Sequence, residues 1–301
     1  MDLLDNIKTF RRLAERQSFT GVAQELGVKQ STVSKSLAAL EKHLGVQLFL
    51  RSTRGLSLTP EGNKLLRLGS PVLDQLDTVL AEVKEEKLRL QGRLRITTSL
   101  AFARLVLTPM LGSFQAAHPE LSLHFQLGDG MVNLVEEGID LAIRMGALED
   151  SALRAVKVGS WKRAVYASPS YLKKHGHPEN VQDLARHRLL YYSNLSERPT
   201  WHFQHNDGSR QQLVFEPVLQ SDGSDFLREA AIAGLGIMHA PTWMMMDAEQ
   251  DGRLTRLLDD WCSARHPITV LTAGGALSAK QRAFVDFLKE KLEKIAELNG
   301  G

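Results

Sequence analysis

The sequence predicts two folded parts of different class: a small helical part with a β-hairpin, and a larger α/β part, joined by one long helix. Three observations predict this division. Apolar residues recur at helical spacing up to about residue 43, an apolar stripe runs from Leu65 to Val83 within a long helix at about 61–91, and strand-like and helix-like segments alternate from residue 93 onward. At roughly 100–200 residues per domain, 301 residues suffice for two or three domains.

Charged residues are unevenly distributed between these parts. Residues 1–95 contain 16 Lys and Arg against 11 Asp and Glu, whereas residues 96–301 contain 21 against 24. A basic segment ahead of a mildly acidic remainder indicates a nucleic acid as one partner. Cys262 is the only cysteine, which excludes an intrachain disulfide and a thiolate metal cluster.

The first ten residues, MDLLDNIKTF, are acidic and lack the apolar run of a signal peptide. No stretch reaches about 18 uninterrupted apolar residues, the length that a membrane span requires. We therefore expect a cytoplasmic protein without membrane contact.

Three short helices are predicted in the first 45 residues. Residues 3–16 show helical apolar spacing, Ser18 is a good N-cap for a second helix, and Gly27-Val28 form a tight break. A third helix follows from Ser31 to about His43. Two short helices joined by a turn of three or four residues form a helix-turn-helix, whose second helix fits the major groove of DNA.

The third helix carries an amide, small hydroxyls and a lysine on one side, where a surface helix usually carries ionic pairs. The amide can pair with adenine, the hydroxyls with several bases, and the lysine with guanine or a phosphate. Ser31 can instead cap the helix and direct free N–H groups toward a phosphate. The opposite side, Val33, Leu37 and Leu40, is predicted to be core. A solvated polar surface is the alternative interpretation.

A basic hairpin, or wing, is predicted beside this helix. Gln47–Arg51 and Leu56–Thr59 alternate as two short strands, with Arg51–Gly55 as their turn. Arginines there can neutralise phosphates or enter a minor groove. The residues predicted to contact DNA are Gln30, Ser31, Thr32, Ser34 and Lys35 on the helix, and Arg51 and Arg54 in the wing.

A long helix begins at Thr59-Pro60, with threonine as N-cap and proline at the first helical position. Its apolar stripe spans more than five turns, which favours pairing with the same helix of a second copy. Packing on the chain's own first helix is the alternative for part of the stripe. Pro71 should kink or divide the helix. The residues predicted to pair two copies are Leu73, Leu76, Val79, Leu80 and Val83.

From Arg93 the alternation of strands and helices predicts a parallel sheet. The predicted strands are LRITTS, LSLHFQL, DLAIR, RAVYA, LLYY, LVFEPVL, GIMHAP and ITVLTAGG. The predicted helices are ARLVLTPMLGSFQAA, VNLVEEG, DFLREAAIAG and a last helix over about residues 279–298.

Residues 1–90 resemble the DNA-binding half of LysR-type transcriptional regulators. The matching residues are Phe10, Ser18-Phe19-Thr20, Ala23, Leu26, Val28, Gln30-Ser31, Val33-Ser34, Leu37, Leu40-Glu41, Leu44-Gly45, Leu48-Phe49, Arg51, Leu58-Thr59 and Gly62. The segments HPELSLHFQL, LVEEGIDLAIRMG, YASPSYLKKHG, DLARHRLL and GLGIMHAP are similar to the effector domain of that family. The sequence departs from the family where Ser31-Thr32 replace a common Pro-Ala, at Pro71, and at Gly128-Asp129-Gly130.

The resemblance implies a two-lobed α/β domain similar to a type 2 periplasmic solute-binding protein. It also implies a homodimer or homotetramer that binds partly palindromic double-stranded DNA, contacts RNA polymerase and responds to a small-molecule effector between the lobes. No cofactor or metal is implied. The corresponding divisions are a winged helix-turn-helix at 1–60, a linker and dimerisation helix at 61–91, and an effector-binding domain at 92–301, with lobe I at about 92–161 and 268–301 and lobe II at about 162–267.

Candidate effector contacts lie at strand ends, where open parallel sheets bind ligands. Hydroxyls before a helix can hold a carboxylate with the helix N–H groups, and aromatic residues can form the walls. The candidates are Thr98, Ser99, Asp129, Arg144, Trp201, Phe203, Ser221, Asp222 and His239. The alternative roles are helix caps for Ser99 and Asp129, an ion pair for Arg144, and core packing for Trp201.

Two other classes of protein remain open: a solute-binding module without regulatory output, and an enzyme on the two-lobed fold. His202 and His205 have the spacing of metal ligands but no evident third ligand. Gly234-x-Gly236 lacks the third glycine of a dinucleotide loop, and Ser168 lacks a glycine elbow. No nucleophile with a base is apparent, so we predict a regulator and not an enzyme.

Overall fold

The structure, a computed structural model, describes residues 2–52, 55–84, 90–130, 132–146, 153–196, 198–273 and 276–299. Within these ranges the chain forms an N-terminal helical domain with a hairpin, a long helix, and two lobes that each contain a five-stranded sheet. The predicted fold class is therefore confirmed.

The N-terminal domain contains three helices and an antiparallel hairpin. Its elements are α1 (Leu3–Arg16), α2 (Phe19–Glu25), α3 (Gln30–Leu44), β1 (Phe49–Ser52) and β2 (Gly55–Leu58). Ser18 caps α2 as predicted, because its side chain accepts a hydrogen bond from Gly21 N. Helix α3 begins one residue earlier than predicted. Its N-cap residue is Lys29, which makes no side-chain cap bond, so the alternative role of Ser31 as the cap is wrong.

The apolar sides of these elements form one small core. Val33, Leu37 and Leu40 are buried, as predicted, against apolar residues of α1, α2 and the hairpin. The carboxylate of Glu41 on α3 accepts a hydrogen bond of 2.8 Å from Leu48 N, just before β1. This contact and the core fix the start of the wing relative to α3.

The linker helix, α4 (Pro60–Lys84), is a continuous element of 25 residues. Thr59 caps it as predicted, since its hydroxyl accepts a hydrogen bond from Gly62 N at 2.9 Å. The expectation that Pro71 could divide the helix is wrong. A proline inside a helix removes one hydrogen bond, but contacts just beyond it hold the second half in place: Leu73 is buried, and Asp74 forms an ion pair of 2.9 Å with Arg11 of α1.

The α/β part has thirteen described strands, followed here in chain order. They are β3 (Gly92–Thr98), β4 (Leu121–Leu127), β5 (Leu141–Met145), β6 (Arg154–Trp161), β7 (Arg163–Ala167), β8 (Leu189–Tyr192), β9 (Thr200–His205), β10 (Arg210–Val214), β11 (Leu219–Ser221), β12 (Ile237–Pro241), β13 (Thr255–Leu257), β14 (Trp261–Cys262) and β15 (His266–Thr272).

The helices described in this part are α5 (Leu100–Phe102), α6 (Thr108–Ala117), α7 (Leu134–Glu137), α8 (Pro169–His175), α9 (Ser224–Ile232), α10 (Thr242–Gln250) and α11 (Ala279–Glu293). A π-helical turn, Ala103–Leu107, joins α5 and α6, and a short 3-10 helix covers Gln182–Arg186.

Both five-stranded sheets are mixed, so the prediction of parallel sheets holds only for part of each. Lobe I has the order β4-β3-β5-β15-β6, in which β3 is parallel to β4 and β5, and β15 is antiparallel to β5 and β6. Lobe II has the order β11-β8-β12-β7-β13, in which β7 is antiparallel to its neighbours. Strands β7 and β15 each follow another strand, β6 and β14, with no helix between them along the chain, whereas parallel pairing of consecutive strands requires a long crossover connection.

The chain crosses between the lobes at two adjacent places. It leaves lobe I after β6, which ends at Trp161, and enters lobe II with β7, which begins at Arg163. It returns through β15, where His266 pairs with Trp161. The two crossings therefore lie side by side at the base of the cleft between the lobes.

The predicted strand LVFEPVL is wrong as a single element. Leu213 and Val214 end β10, and β11 begins only at Leu219. Strand β10 belongs to a separate three-stranded antiparallel sheet with β9 and β14. Pro217 lies between the two strands and cannot donate to a ladder.

The helical segment Leu100–Ala117 is long and apolar enough, by length and composition alone, to cross a membrane. In this fold three of its apolar side chains, Phe102, Leu107 and Phe114, are buried in the core of lobe I. The segment therefore acts as a core helix of the lobe.

The linker helix contacts lobe I as well as α1. Asp74 lies 2.8 Å from the ammonium group of Lys280 on α11, and Thr78 accepts a hydrogen bond of 3.0 Å from Ala279 N. Lys280 also lies 3.9 Å from Asp140, the residue before β5. A carboxylate of α4 therefore joins the N-terminal domain to the sheet of lobe I.

Candidate nucleic-acid interface and interlobe cavity

Helix α3 presents the polar side that the sequence predicts. Gln30, Ser31 and Lys35 are exposed, and Thr32 and Ser34 are partly exposed. Ser36, on the opposite side, is buried and donates a hydrogen bond of 2.7 Å to Asn6 of α1. One side of α3 is therefore held by the core and by α1, while the amide, hydroxyls and lysine face outward.

The predicted wing lies next to α3. Arg51 belongs to β1, and its side chain and all of Arg54 lie outside the described residues. The strands themselves agree with the prediction, with Arg51 paired with Leu56 across the hairpin.

The apolar stripe of α4 divides between the chain's own core and solvent. Leu73 is 3% exposed, whereas Val72, Val79 and Leu80 are 63%, 54% and 43% exposed. Leu76 is partly exposed, and the side chain of Val83 lies outside the described residues. Leu73 therefore has no free surface for a second copy, because the chain itself covers it, and Val72 is exposed although the prediction did not include it.

A cavity of about 220 Å³ lies between the lobes. Four of the predicted effector contacts line it: Ser99, Asp129, Arg144 and His239. Ser99 also caps α5, since its hydroxyl accepts a hydrogen bond from Phe102 N. The remainder of the lining is mostly apolar and includes Trp161, Trp243 and Met244.

The other five predicted contacts do not line this cavity. Thr98 is fully buried, Ser221 accepts a hydrogen bond from Gly223 N, and Asp222 is exposed outside the lining but near enough for its charge to act on Asp129 and Tyr192. Trp201 and Phe203 lie in the core of lobe II, and Phe203 packs 4.8 Å from the ring of His239. The two aromatic residues support one wall of the cavity from behind, because the rings of both pack against His239, which lines it.

Asp129 and Arg144 lie near each other at the lobe I side of the cavity, and their opposite charges interact. Arg144 donates to the carbonyl oxygens of Gly128 and Gly130, at 3.3 and 2.9 Å, and holds the loop around Asp129. Tyr192 of lobe II donates a hydrogen bond of 2.9 Å to Asp129. Burial raises the pKa of Asp129, while Tyr192 and Arg144 oppose that rise. This contact joins the two lobes across the cleft.

Arg163 and two histidines form a second polar group at the crossings. The guanidinium group of Arg163 lies 4.6 Å from the Trp161 ring centre, and its Nη1 lies 3.3 Å from Nε2 of His266. Burial and the nearby Arg163 lower the pKa of His266 to about 4, and they lower that of His239 as well. Both rings are therefore neutral at pH 7.

Several residues of the cavity were missed from the sequence. Tyr192, Asn194, Trp161, Arg163 and Trp243 all line it. A signal existed for Trp161 and Arg163, because both lie at the predicted crossing between the lobes. Tyr192 ends a short apolar strand, and nothing in its local sequence distinguishes it from core.

Within the described residues, no group of three or more His, Cys, Asp or Glu could hold a metal ion. His205 lies on β9 and contacts Asp207 at 3.0 Å, and His202 is exposed on the same strand.

Two family models match the chain. One, described as a bacterial regulatory helix-turn-helix protein of the lysR family, matches residues 4–63. The other, described as a LysR substrate binding domain, matches residues 88–293. The first covers the N-terminal domain and the second covers both lobes.

Curated relatives match over nearly their full length. An HTH-type transcriptional repressor of Pseudomonas aeruginosa is 33% identical, over 99% of this chain and 95% of that protein. The HTH-type transcriptional regulator DmlR of Escherichia coli is 32% identical, over 96% of this chain and 94% of that protein. CrgA of Neisseria meningitidis is 31% identical, over 96% of each chain.

Solved structures share the fold. The structure of CrgA, a LysR-type transcriptional regulator from Neisseria meningitidis, has a TM-score of 0.62 at 29% identity, over 95% of this chain and 97% of that chain. Full-length AphB of Vibrio cholerae, described as a virulence activator, has a TM-score of 0.57 at 28% identity, over 96% of this chain and 98% of that chain.

The geometry and the comparisons agree on the two parts of the chain. Helix α3 has the outward polar side of a DNA-reading helix, and the two lobes enclose a cavity. The relatives are transcriptional regulators and not enzymes, which confirms the predicted class. The chain belongs to the LysR family of DNA-binding transcriptional regulators, with an N-terminal helix-turn-helix and an effector-binding regulatory domain.

Proposed function

We propose that this regulator binds DNA as a dimer or tetramer whose arrangement responds to a small molecule in the interlobe cavity. One observation carries the proposal. Strands β3 and β5 begin beside the linker helix and end at the cavity: Asp140 precedes β5 at the Lys280 contact, and Arg144 of β5 lines the cavity. A change at the cavity can therefore reach α4 through one short strand.

The ligand acts only through its preference for one arrangement over another. Tyr192 and Asp129 join the lobes across the cleft, so a molecule that reorders this contact changes the lobe angle. Movement of β5 would shift Asp140 relative to Lys280, and Lys280 relative to Asp74 of α4. This movement would change the orientation of α4. The separation between the α3 helices of two paired copies would then change as well.

For DNA contact we propose the outward residues of α3, with Arg51 and Arg54 of the wing. An amide and hydroxyls suit base edges, and Lys35 and the arginines suit phosphates. The exposure of Gln30, Ser31 and Lys35 supports this assignment.

For self-association we propose the exposed apolar residues of α4, chiefly Val72, Val79 and Leu80 with Leu76. Large apolar side chains that lie on one helix and remain exposed mark an interaction surface, and these follow helical spacing. RNA polymerase is a further proposed partner, and the cytoplasm, where the DNA lies, is the proposed location.

The effector is assigned to the interlobe cavity and not to a larger cavity elsewhere in the described residues. A larger one, of about 600 Å³, lies between α1, α4 and lobe I. Two cations that line it, Arg11 and Lys280, already form ion pairs with Asp74, which lines it as well. The interlobe cavity has convergent polar groups in an apolar lining, which is the usual form of a small-molecule site.

The test is footprinting on the region upstream of the protein's own gene, with the wild-type chain and Lys280→Ala. We expect the wild-type protein to protect two half-sites about one or more helical turns apart. The Lys280→Ala variant should protect the same bases with altered spacing or altered DNA bending, because its α3 is unchanged. Absence of any protected site would exclude sequence-specific binding there, and identical footprints would exclude the role of Lys280.

A further inference from the structure

Arg163 is the residue of the interlobe cavity whose charge the protein leaves unbalanced. It is the first residue of β7, lies at the crossing between the lobes, and lines the cavity. Two hydrogen bonds to Ser263 hold its backbone. Arg163 N donates to the Ser263 hydroxyl at 2.8 Å, and the Arg163 carbonyl accepts a hydrogen bond from Ser263 N. The backbone that carries the guanidinium group is therefore fixed in position where the two lobes meet.

The guanidinium group has neutral neighbours. Its Nη1 faces Nε2 of His266, and its flat face lies over Trp161. Within the described part of the chain Arg163 forms no ion pair, and its Nε and Nη2 make no hydrogen bond. These two nitrogens present adjacent donors of the kind that hold a carboxylate with two parallel hydrogen bonds.

The charges around the cavity do not cancel. Asp129 and Arg144, which also line it, have opposite charges and act on each other. Burial lowers the pKa of Arg163 to about 10, so the group remains a cation at pH 7. His239 and His266 are neutral, so the residues that line the cavity leave one positive charge, on Arg163; Asp222 lies outside the lining, and its charge acts on Asp129 and Tyr192.

Arg163 is partly buried, and a cation partly removed from water without an ionic partner loses hydration free energy that a bound anion offsets. Most of the lining is apolar, including Ile143, Met238 and Trp243. The cavity of about 220 Å³ is smaller than the roughly 300–1,000 Å³ of sites for drug-sized ligands. One positive charge, an apolar wall and a small volume together suit a small ligand that has one negative charge and an apolar portion.

We propose that the effector is a small organic acid with one carboxylate, bound to the Nε and Nη2 donors of Arg163 and with its apolar portion against Trp161 and Trp243. This inference rests on the proposed assignment of the effector to the interlobe cavity. Arg163 at the crossing would then make the lobe angle sensitive to the bound charge.

The experiment compares acids with neutral molecules of the same shape. Acetate, butyrate, hexanoate, benzoate and phenylacetate are each paired with the corresponding amide. Binding to the full-length protein is followed by calorimetry and by tryptophan fluorescence, up to about 10 mM, which includes the millimolar affinities of very small ligands. Variants are Arg163→Gln, Arg163→Lys and, as a matched control, Arg210→Gln, which changes an exposed arginine of the same lobe.

At least one acid should bind the wild-type protein and Arg210→Gln tenfold or more tightly than its amide. Arg163→Gln should lose this preference while its affinity for the amide changes little, and Arg163→Lys should retain part of the preference, since it keeps the charge. The wild-type comparison does not depend on whether a variant folds.

Three results would overturn the inference: equal affinities of acid and amide, an acid preference that survives in folded Arg163→Gln, or no binding of any acid in the panel. Footprinting of the same preparations separates this result from the proposed function. If the protein protects DNA but prefers amides, only the proposal of an anionic effector is refuted. If the protein protects no DNA, the proposed function itself is refuted.

Discussion

Helix α3 and the interlobe cavity are built in opposite ways. The outward residues of α3 come from six consecutive positions, Gln30 to Lys35, on one regular element with a buried opposite side. The cavity is lined by residues from position 99 to position 244, on several strands and helices of two lobes. A local site can be identified from periodicity, whereas a site between lobes depends on which strand ends meet.

The two regions also differ in charge. The α3 surface has one ammonium group among hydroxyls and an amide, all of them exposed or partly exposed to solvent. The cavity holds charged groups against apolar walls, where burial shifts the pKa values of Asp129, Arg163 and His239. Changes of α3 should therefore affect recognition with little effect on stability, and changes within the lobes should affect both.

The largest expected effect is a loss of stability in the N-terminal domain without a loss of stability in the lobes. Leu40 on α3 is fully buried in the core of the N-terminal domain. Leu40→Ala should lower the free energy of unfolding of that domain by about 2–5 kcal/mol and abolish operator binding, while the unfolding transition of the lobes is unchanged. Calorimetry of the full chain checks this. Leu44→Ala, on the same helix but 43% exposed, is the control and should change stability little; a shift of both transitions would show that the regions unfold together.

A second test concerns the exposed stripe between the two regions. Val79→Lys places a charge where two copies would meet, and should weaken dimerisation by about 3 kcal/mol, or more than a hundredfold. Sedimentation should then show a monomer with normal melting temperature. Val135→Lys, an exposed valine of α7, is the matched control. A variant at Val79 that remains a dimer would assign self-association to another surface.

A smaller effect distinguishes base contacts from phosphate contacts on α3. Gln30→Ala should change discrimination between operator bases by about 1–3 kcal/mol. Lys35→Ala should weaken binding to all sequences and reduce the slope of log affinity against log salt by about 1. Binding to operator variants at several salt concentrations checks both. If the two variants behaved alike, the separate roles of the amide and the ammonium group would be wrong.

The smallest expected effect is a pH dependence confined to the lobes. The pKa of His266 is lowered to about 4 in the folded protein by burial and by Arg163, against an ordinary value of 6.5. The unfolded state therefore binds more protons between these values, so stability present above pH 6.5 is lost as the pH falls toward 4.

The melting temperature of the lobes should consequently decrease by a few degrees between pH 7 and pH 5, at about 2–4 °C per kcal/mol. His266→Gln should reduce this dependence. The control is the same substitution at His43, the exposed histidine of the N-terminal domain. An unchanged pH profile in His266→Gln would show that His266 does not contribute to it.

The sequence predicted the fold class, the helix-turn-helix with its outward side, and the caps of α2 and α4, because each depends on residues a few positions apart. It predicted Ser99, Asp129, Arg144 and His239 for the cavity, since strand ends and helix starts are local features. It predicted Trp201 and Phe203 as cavity walls, whereas both lie in the core of lobe II. The local sequence around an aromatic residue on a strand does not distinguish a core position from a cleft position.

The amphipathic elements follow from the order of the residues alone, since helix and strand periodicities sort apolar from polar side chains without knowledge of the fold. Three-dimensional packing was needed to show that Leu73 is covered by its own chain, that both sheets are mixed, and that Arg163 contacts Trp161 and His266 at the crossings. These features depend on contacts between residues as far as a hundred positions apart, and no local pattern encodes which distant segments pack together.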